Sequence, residues 1–182
     1  MTSTAIHRLR AVAAGVIASL AATTIAVGGT AGPAQFQVSV QISANCTIAT
    51  NSPAIFSLGT YDPVTANASA SSPLQVNTSS VLKVTCTAGA NTPVIRLDQG
   101  SHPQSSSTAA APLRRLSDGT HFLNYNLYKG GYTTVWGDTA ATGLTYTGTG
   151  ASDAITIYAQ VDGDQSQPVG TYNDTIQANI DF

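Results

Sequence analysis

From Gln35 to Ser43 apolar and polar residues alternate without a break. Phe36, Val38, Val40 and Ile42 take one set of positions, and Gln37, Ser39, Gln41 and Ser43 the other. A period of two sends successive side chains to opposite faces, so this stretch predicts a β-strand. The same pattern ends the sequence: Ile176, Ala178, Ile180 and Phe182 alternate with Thr175, Gln177, Asn179 and Asp181. Between them, Ile55 to Pro63 predicts a short strand followed by a turn. In "VLKVTC", Leu82, Val84 and Cys86 share a face, and "PVIRLDQG" predicts a strand opening into a loop. That loop, "GSHPQSSSTAAAP", is polar and low in complexity, and is expected to be a solvated connection or a mobile tip. "HFLNYNLYKGGYTTVWGD" predicts a hairpin, with Leu123, Tyr125 and Leu127 on one face and Gly130-Gly131 at the turn. "AITIYAQV" predicts another strand. Short strands punctuated by Gly, Pro and Asn predict one all-β domain, a β-sandwich. A terminal strand can complete its own sheet or a neighbour's. Periodicity leaves both open.

The first 34 residues follow a different pattern. Arg8 and Arg10 precede an apolar run from Ala11 to Val27, and small residues follow up to Ala31 and Ala34. Charge, apolar run and small residues, in that order, predict a cleaved secretory leader over 1–34, with cleavage near 31–34. The alternative is a membrane anchor. The run is Ala-rich and roughly 17 residues long, the bottom of the spanning range.

Composition narrows the function. Without Arg8 and Arg10, five basic residues face nine Asp, and there is no Glu. Such a charge-poor, mildly acidic chain lacks the clustered Lys and Arg that nucleic acid requires. The two cysteines, Cys46 and Cys86, are an even count in an exported chain, which predicts one disulfide rather than two buried thiols. Closing a loop of about 40 residues contributes roughly 4 kcal/mol in the chain-entropy account.

No catalytic, cofactor or metal site is expected. His102 lies in the polar loop and His121 opens a strand, so both read as solvated or turn residues. Asp162 and Asp164 form one short acidic turn, short of a calcium ligand set. Arg114-Arg115 is a candidate partner patch, with a solvated pair beside a turn the favoured reading. Trp136 and the seven tyrosines are candidates for a sugar-binding platform, with packing the favoured role for Trp136. The Asn-x-Ser/Thr triplets at Asn45, Asn67, Asn77 and Asn173 arise easily by chance in a Ser/Thr-rich chain.

Several stretches in order carry a family resemblance: "FSLGTYDP", "VTC", "RRLSDG", "YNLYKGGYTTVWGD" and "PVGTYNDTIQANIDF". Together, from about Gln35 to Phe182, they resemble the spore coat protein U domain, the subunit family of archaic, Csu-type chaperone–usher pili. The resemblance implies an immunoglobulin-like sandwich that lacks one strand in the monomer. It implies residues 35–45 as an N-terminal donor strand, with Phe36, Val38, Val40 and Ile42 entering a neighbour's groove, and 46–182 as the domain. It implies that Ile176, Ala178, Ile180 and Phe182 border the acceptor groove and meet a periplasmic chaperone, and that Cys46 pairs with Cys86. Its other partners would be an outer-membrane usher and identical or related subunits. The expected product is a shaft or adaptor subunit of a surface pilus serving attachment and biofilm formation. The alternatives are a self-completed secreted sandwich that binds a carbohydrate or surface ligand, and a spore-coat component.

Overall fold

The computed structural model describes residues 28, 29, 32–90 and 92–182. The predicted leader, 1–34, lies for the most part outside them. Met1–Val40 and Gln41–Phe182 are separate compact units. In the first, the described residues carry no regular secondary structure, and neither do 41–45 at the start of the second. Among the described residues no helix is long and apolar enough to cross a membrane.

The second unit is all β. Its strands are β1 (Cys46–Thr50), β2 (Leu74–Cys86), β3 (Val94–Leu97), β4 (Arg114–Ser117), β5 (Phe122–Tyr128), β6 (Leu144–Thr145), β7 (Ser152–Val161) and β8 (Ala178–Asp181). One sheet runs β1-β2-β7-β5-β4 and the other β6-β3-β8, with antiparallel pairing throughout. Alternation sets the inner faces. In β7, Ile155, Ile157, Ala159 and Val161 are buried while the residues between them are not, and in β5 the same holds for Leu123, Tyr125 and Leu127. Those residues meet Leu82 and Val84 of β2 and Ile95 and Leu97 of β3 in one core. Cys46 and Cys86 are direct cross-strand partners at the start of β1 and end of β2, joined by a disulfide.

Several expectations are corrected. The predicted strand over Ile55 to Pro63 does not form, because no neighbouring strand pairs with its backbone. The turn after it does form: Asp62 Oδ1 accepts from the amides of Val64 and Thr65. The final strand is shorter than its alternation, since Thr175 to Gln177 are not in β8. The loop over 100–112 is not merely solvated. The Gln104 amide donates to the Leu113 carbonyl at 2.9 Å, the Asp138 amide to Ala109 at 2.7 Å, and Arg115 donates to the carbonyls of His102 and Pro103. Gly130 and Gly131 both have positive φ, as the predicted turn requires.

The largest departure is Arg114. Expected in water, it is fully buried. It belongs to β4, opposite Tyr125 in the ladder, so its side chain points into the sandwich. Trp136 is equally buried and donates from Nε1 to the Ile95 carbonyl at 2.8 Å. Its indole is packing, as expected, and offers no sugar platform. Tyr132 packs edge to face against both Tyr128 and Tyr158.

Asp118 organises the turn before β5. Its Oδ1 accepts from the amides of Thr120 and His121, and its Oδ2 lies 3.0 Å from His121 Nδ1. The two amide bonds, chiefly that from His121, hold the carboxyl well below the usual carboxylate range. A depressed acid contributes stability above its unfolded pKa and loses it as pH falls through the folded one. Asp118→Ala should therefore lower stability at neutral pH and flatten the acid limb of a stability–pH curve. Urea midpoints across an acid pH series test this, and an unchanged slope would count against it.

Candidate functional site: a groove between two sheet edges

β1 is an edge of the five-stranded sheet and β8 an edge of the three-stranded sheet. The two lie near each other without forming a ladder. A hollow lined by Ile48, Thr50, Leu82, Ile176 and Ala178 lies between them. It adjoins a longer groove of about 1010 Å3. One wall of that groove is Ala54 to Tyr61, the segment that fails to become a strand, and the other runs from Val169 to Ala178. The floor is core, including Leu97, Leu123, Leu127 and Ile157.

The groove leaves an apolar floor uncovered. A complete sandwich covers such a floor, and an uncovered one exposes apolar area and unpaired main chain. Ile55 and Val169 stand on the walls and are largely exposed. The groove is chemically uneven. Toward β1 and β8 it is aliphatic. Elsewhere Tyr61 Oη accepts from the Gln165 amide at 3.0 Å, and Tyr125 and Asp174 place polar atoms in the lining. Burial, and then the neighbouring Asp174 carboxylate, push the Tyr125 phenol far above its ordinary value, so it stays a hydrogen-bond donor.

Of the four predicted border residues, Ile176 and Ala178 line the groove. Ile180 packs half-buried against the core, and Phe182 is exposed. Phe36, Val38, Val40 and Ile42 are 86%, 82%, 91% and 82% exposed. Four consecutive apolar positions of one alternating set thus lie in water. Sequence reasoning missed the wall at Ala54 to Tyr61 as a wall, because its pattern is that of an ordinary strand. It also missed the polar pair Tyr125 and Asp174, for which spacing carries no signal.

His102 and His121 do not meet, and Asp162 and Asp164 gather no third acid. Among the described residues no group of three or more His, Cys, Asp or Glu is placed to hold a metal ion.

The Spore Coat Protein U domain matches residues 33–179. The chain belongs to the spore coat protein U domain family. It is 43% identical over 127 residues to Protein U of Myxococcus xanthus, covering 68% of this chain and 69% of that protein. Its fold is similar to that of a chain in the crystal structure of a chaperone–tip adhesion subunit pre-assembly complex from archaic chaperone–usher Csu pili of Acinetobacter baumannii. The TM-score is 0.51 at 17% identity, and the match covers 78% of this chain and 40% of that one. The two antiparallel sheets of this chain agree with the expected immunoglobulin-like sandwich.

Proposed function

We propose that this family member is a structural subunit of a chaperone–usher pilus, assembled by donor-strand exchange. The observation that carries the reading is the groove between β1 and β8 together with an exposed apolar alternation at Phe36, Val38, Val40 and Ile42. The groove lacks a strand, and residues 35–45 have the pattern of one. Inserted into a second copy, the segment would supply main-chain partners to both edges and cover the core floor. Each large aliphatic side chain buried contributes about 1.5–3 kcal/mol. The contact is heterologous and does not close, so it propagates a filament.

In this reading a leader over 1–34 directs export, and a periplasmic chaperone fills the groove until an outer-membrane usher exchanges it for the next subunit's strand. Ile176 and Ala178 meet the inserted strand, while Ile180 in β8 and Phe182 after it lie beyond the groove. The donor segment suits a shaft or adaptor position, in a surface fibre serving attachment and biofilm formation. No enzymatic chemistry is required. A second reading, assembly on a spore coat through the same groove, is favoured by the likeness to Protein U and by the family's name.

The test is an SDS gel of protein sheared from the cell surface, loaded with and without boiling. A ladder that collapses to one band on heating is expected. A single monomer band in both lanes, with the intact mass confirmed, would overturn the proposal.

A further inference from the structure

An empty apolar groove tends to close, because closing it removes apolar surface from water. The wall before β8 has no ladder of its own to resist this, so something else must hold it. The backbone ties at this wall include a reciprocal pair between Asn173 and Ser117, each bond 2.9 Å, and the bond from the Asp98 amide to the Gln177 carbonyl. Between those ties stands Asp174, whose side chain is 1% exposed.

Both carboxylate oxygens of Asp174 are engaged. Oδ2 accepts from Tyr125 Oη at 2.7 Å. Oδ1 accepts from the Ser101 amide at 2.8 Å and the Thr175 amide at 2.9 Å. Tyr125 comes from β5 in the five-stranded sheet, while Ser101 comes from the loop after β3 in the other. The close approach of that loop depends on Gly100. A Cβ there would overlap the Asp174 carboxylate, and its φ of +76° disfavours other residues. One buried side chain therefore ties the groove wall to elements of both sheets.

We propose that Asp174 is a positioning residue for strand uptake: it holds the wall at its open spacing while the groove is empty. This rests on the donor-strand reading. Moving the wall inward would strip a buried carboxylate of its donors, which is costly. The groove is thereby preorganised, and an incoming strand need not first reopen it. Once a strand is in place, its own ladder and side chains hold the wall, so Asp174 matters mainly for the rate of entry.

The experiment uses the full exported chain, disulfide intact and highly dilute, with a fluorescent synthetic peptide of residues 35–45 as the probe. Uptake and release rates are followed by anisotropy. Asp174→Asn keeps the volume and one acceptor oxygen, and Tyr125→Phe removes only the hydroxyl. Each is expected to slow uptake about tenfold or more and to change release by a clearly smaller factor. Tyr125→Phe is the milder change and keeps the test open should Asp174→Asn misfold. Unchanged uptake would overturn the inference. So would slower uptake matched by proportionately faster release, which marks a loss of general stability. If the wild-type chain takes up no peptide, the donor-strand reading itself falls, and this inference with it.

Discussion

Val40→Asp is expected to leave export intact and abolish fibres. Val40 is 91% exposed in this chain, so replacing it removes no contact on which the fold of one subunit depends. In the proposed assembly the same side chain enters an apolar groove floored by residues such as Leu123 and Ile157. A carboxylate there would be stripped of water with no cation to meet it, at a cost of several kcal/mol. The joint would also lose the valine's own contribution of about 1.5–3 kcal/mol. In that assembly every subunit would donate one such strand, so the defect would repeat at each joint. The sheared-surface gel should show monomer without a ladder, at a periplasmic level like that of wild type. Ser39→Asp, on the opposite set of positions, should polymerise nearly normally. Normal fibre yield from Val40→Asp would count heavily against strand exchange. Equal loss from both variants would point to a general effect of charge rather than to a groove.

The second large effect concerns Arg114. Its guanidinium is fully buried and, among the described residues, forms no ion pair with a carboxylate. It is solvated by main chain instead. Nε donates to the Asp98 carbonyl at 2.8 Å. Nη2 donates to those of Leu97, Asp98 and Trp136 at 3.0, 2.5 and 2.8 Å. Nη1 donates to Asn126 Oδ1 at 2.7 Å. Leu97 belongs to β3 and Arg114 to β4, so the side chain staples one sheet to the other. Burial lowers its pKa from the ordinary arginine value, the cost of holding a charge there. Arg114→Ala would orphan several carbonyls and open a cavity. Each unsatisfied buried group costs about 1–3 kcal/mol, so several orphaned carbonyls together cost several kcal/mol. A loss of that size is expected in urea unfolding of the oxidised chain. Arg114→Lys should restore only part of it, since a single ammonium cannot reproduce the planar fork. A loss under about 1 kcal/mol for Arg114→Ala would refute the staple.

The structure explains why Arg114 was misread. In the sequence it stands in "RRLSDG", beside a turn and next to a second arginine. Arg115, its neighbour on the opposite face, is also less solvated than expected: it is half-buried, caps two loop carbonyls and lies 4.0 Å over the Phe122 ring. A period of two tells that adjacent residues face opposite ways. It does not tell which of two identical side chains faces inward. That choice rests on β4 pairing with β5 in the register Arg114 to Tyr125. The loop over 100–112 was misread for a similar reason. Its composition is that of a solvated linker, but its order comes from bonds to Arg115, Asn124 and Asp138, all outside the loop.

By itself, the sequence determined the sandwich class, the shared inward face of Leu123, Tyr125 and Leu127 in β5, the Cys46–Cys86 pairing, and the apolar alternation of Phe36 to Ile42. All four follow from local signals, namely period, turn residues and cysteine count, which operate over a few residues. Tertiary structure decided where the gap lies. Ile55 to Pro63 and Thr175 to Phe182 carry strand patterns much like those of paired strands, and an absent neighbour leaves no mark on either. Only the order of strands shows that β1 and β8 are free edges facing one groove. Only packing brings Tyr125, Ser101 and Asp174 together on its wall, because hydrogen bonds between residues far apart in sequence depend on the closed sandwich.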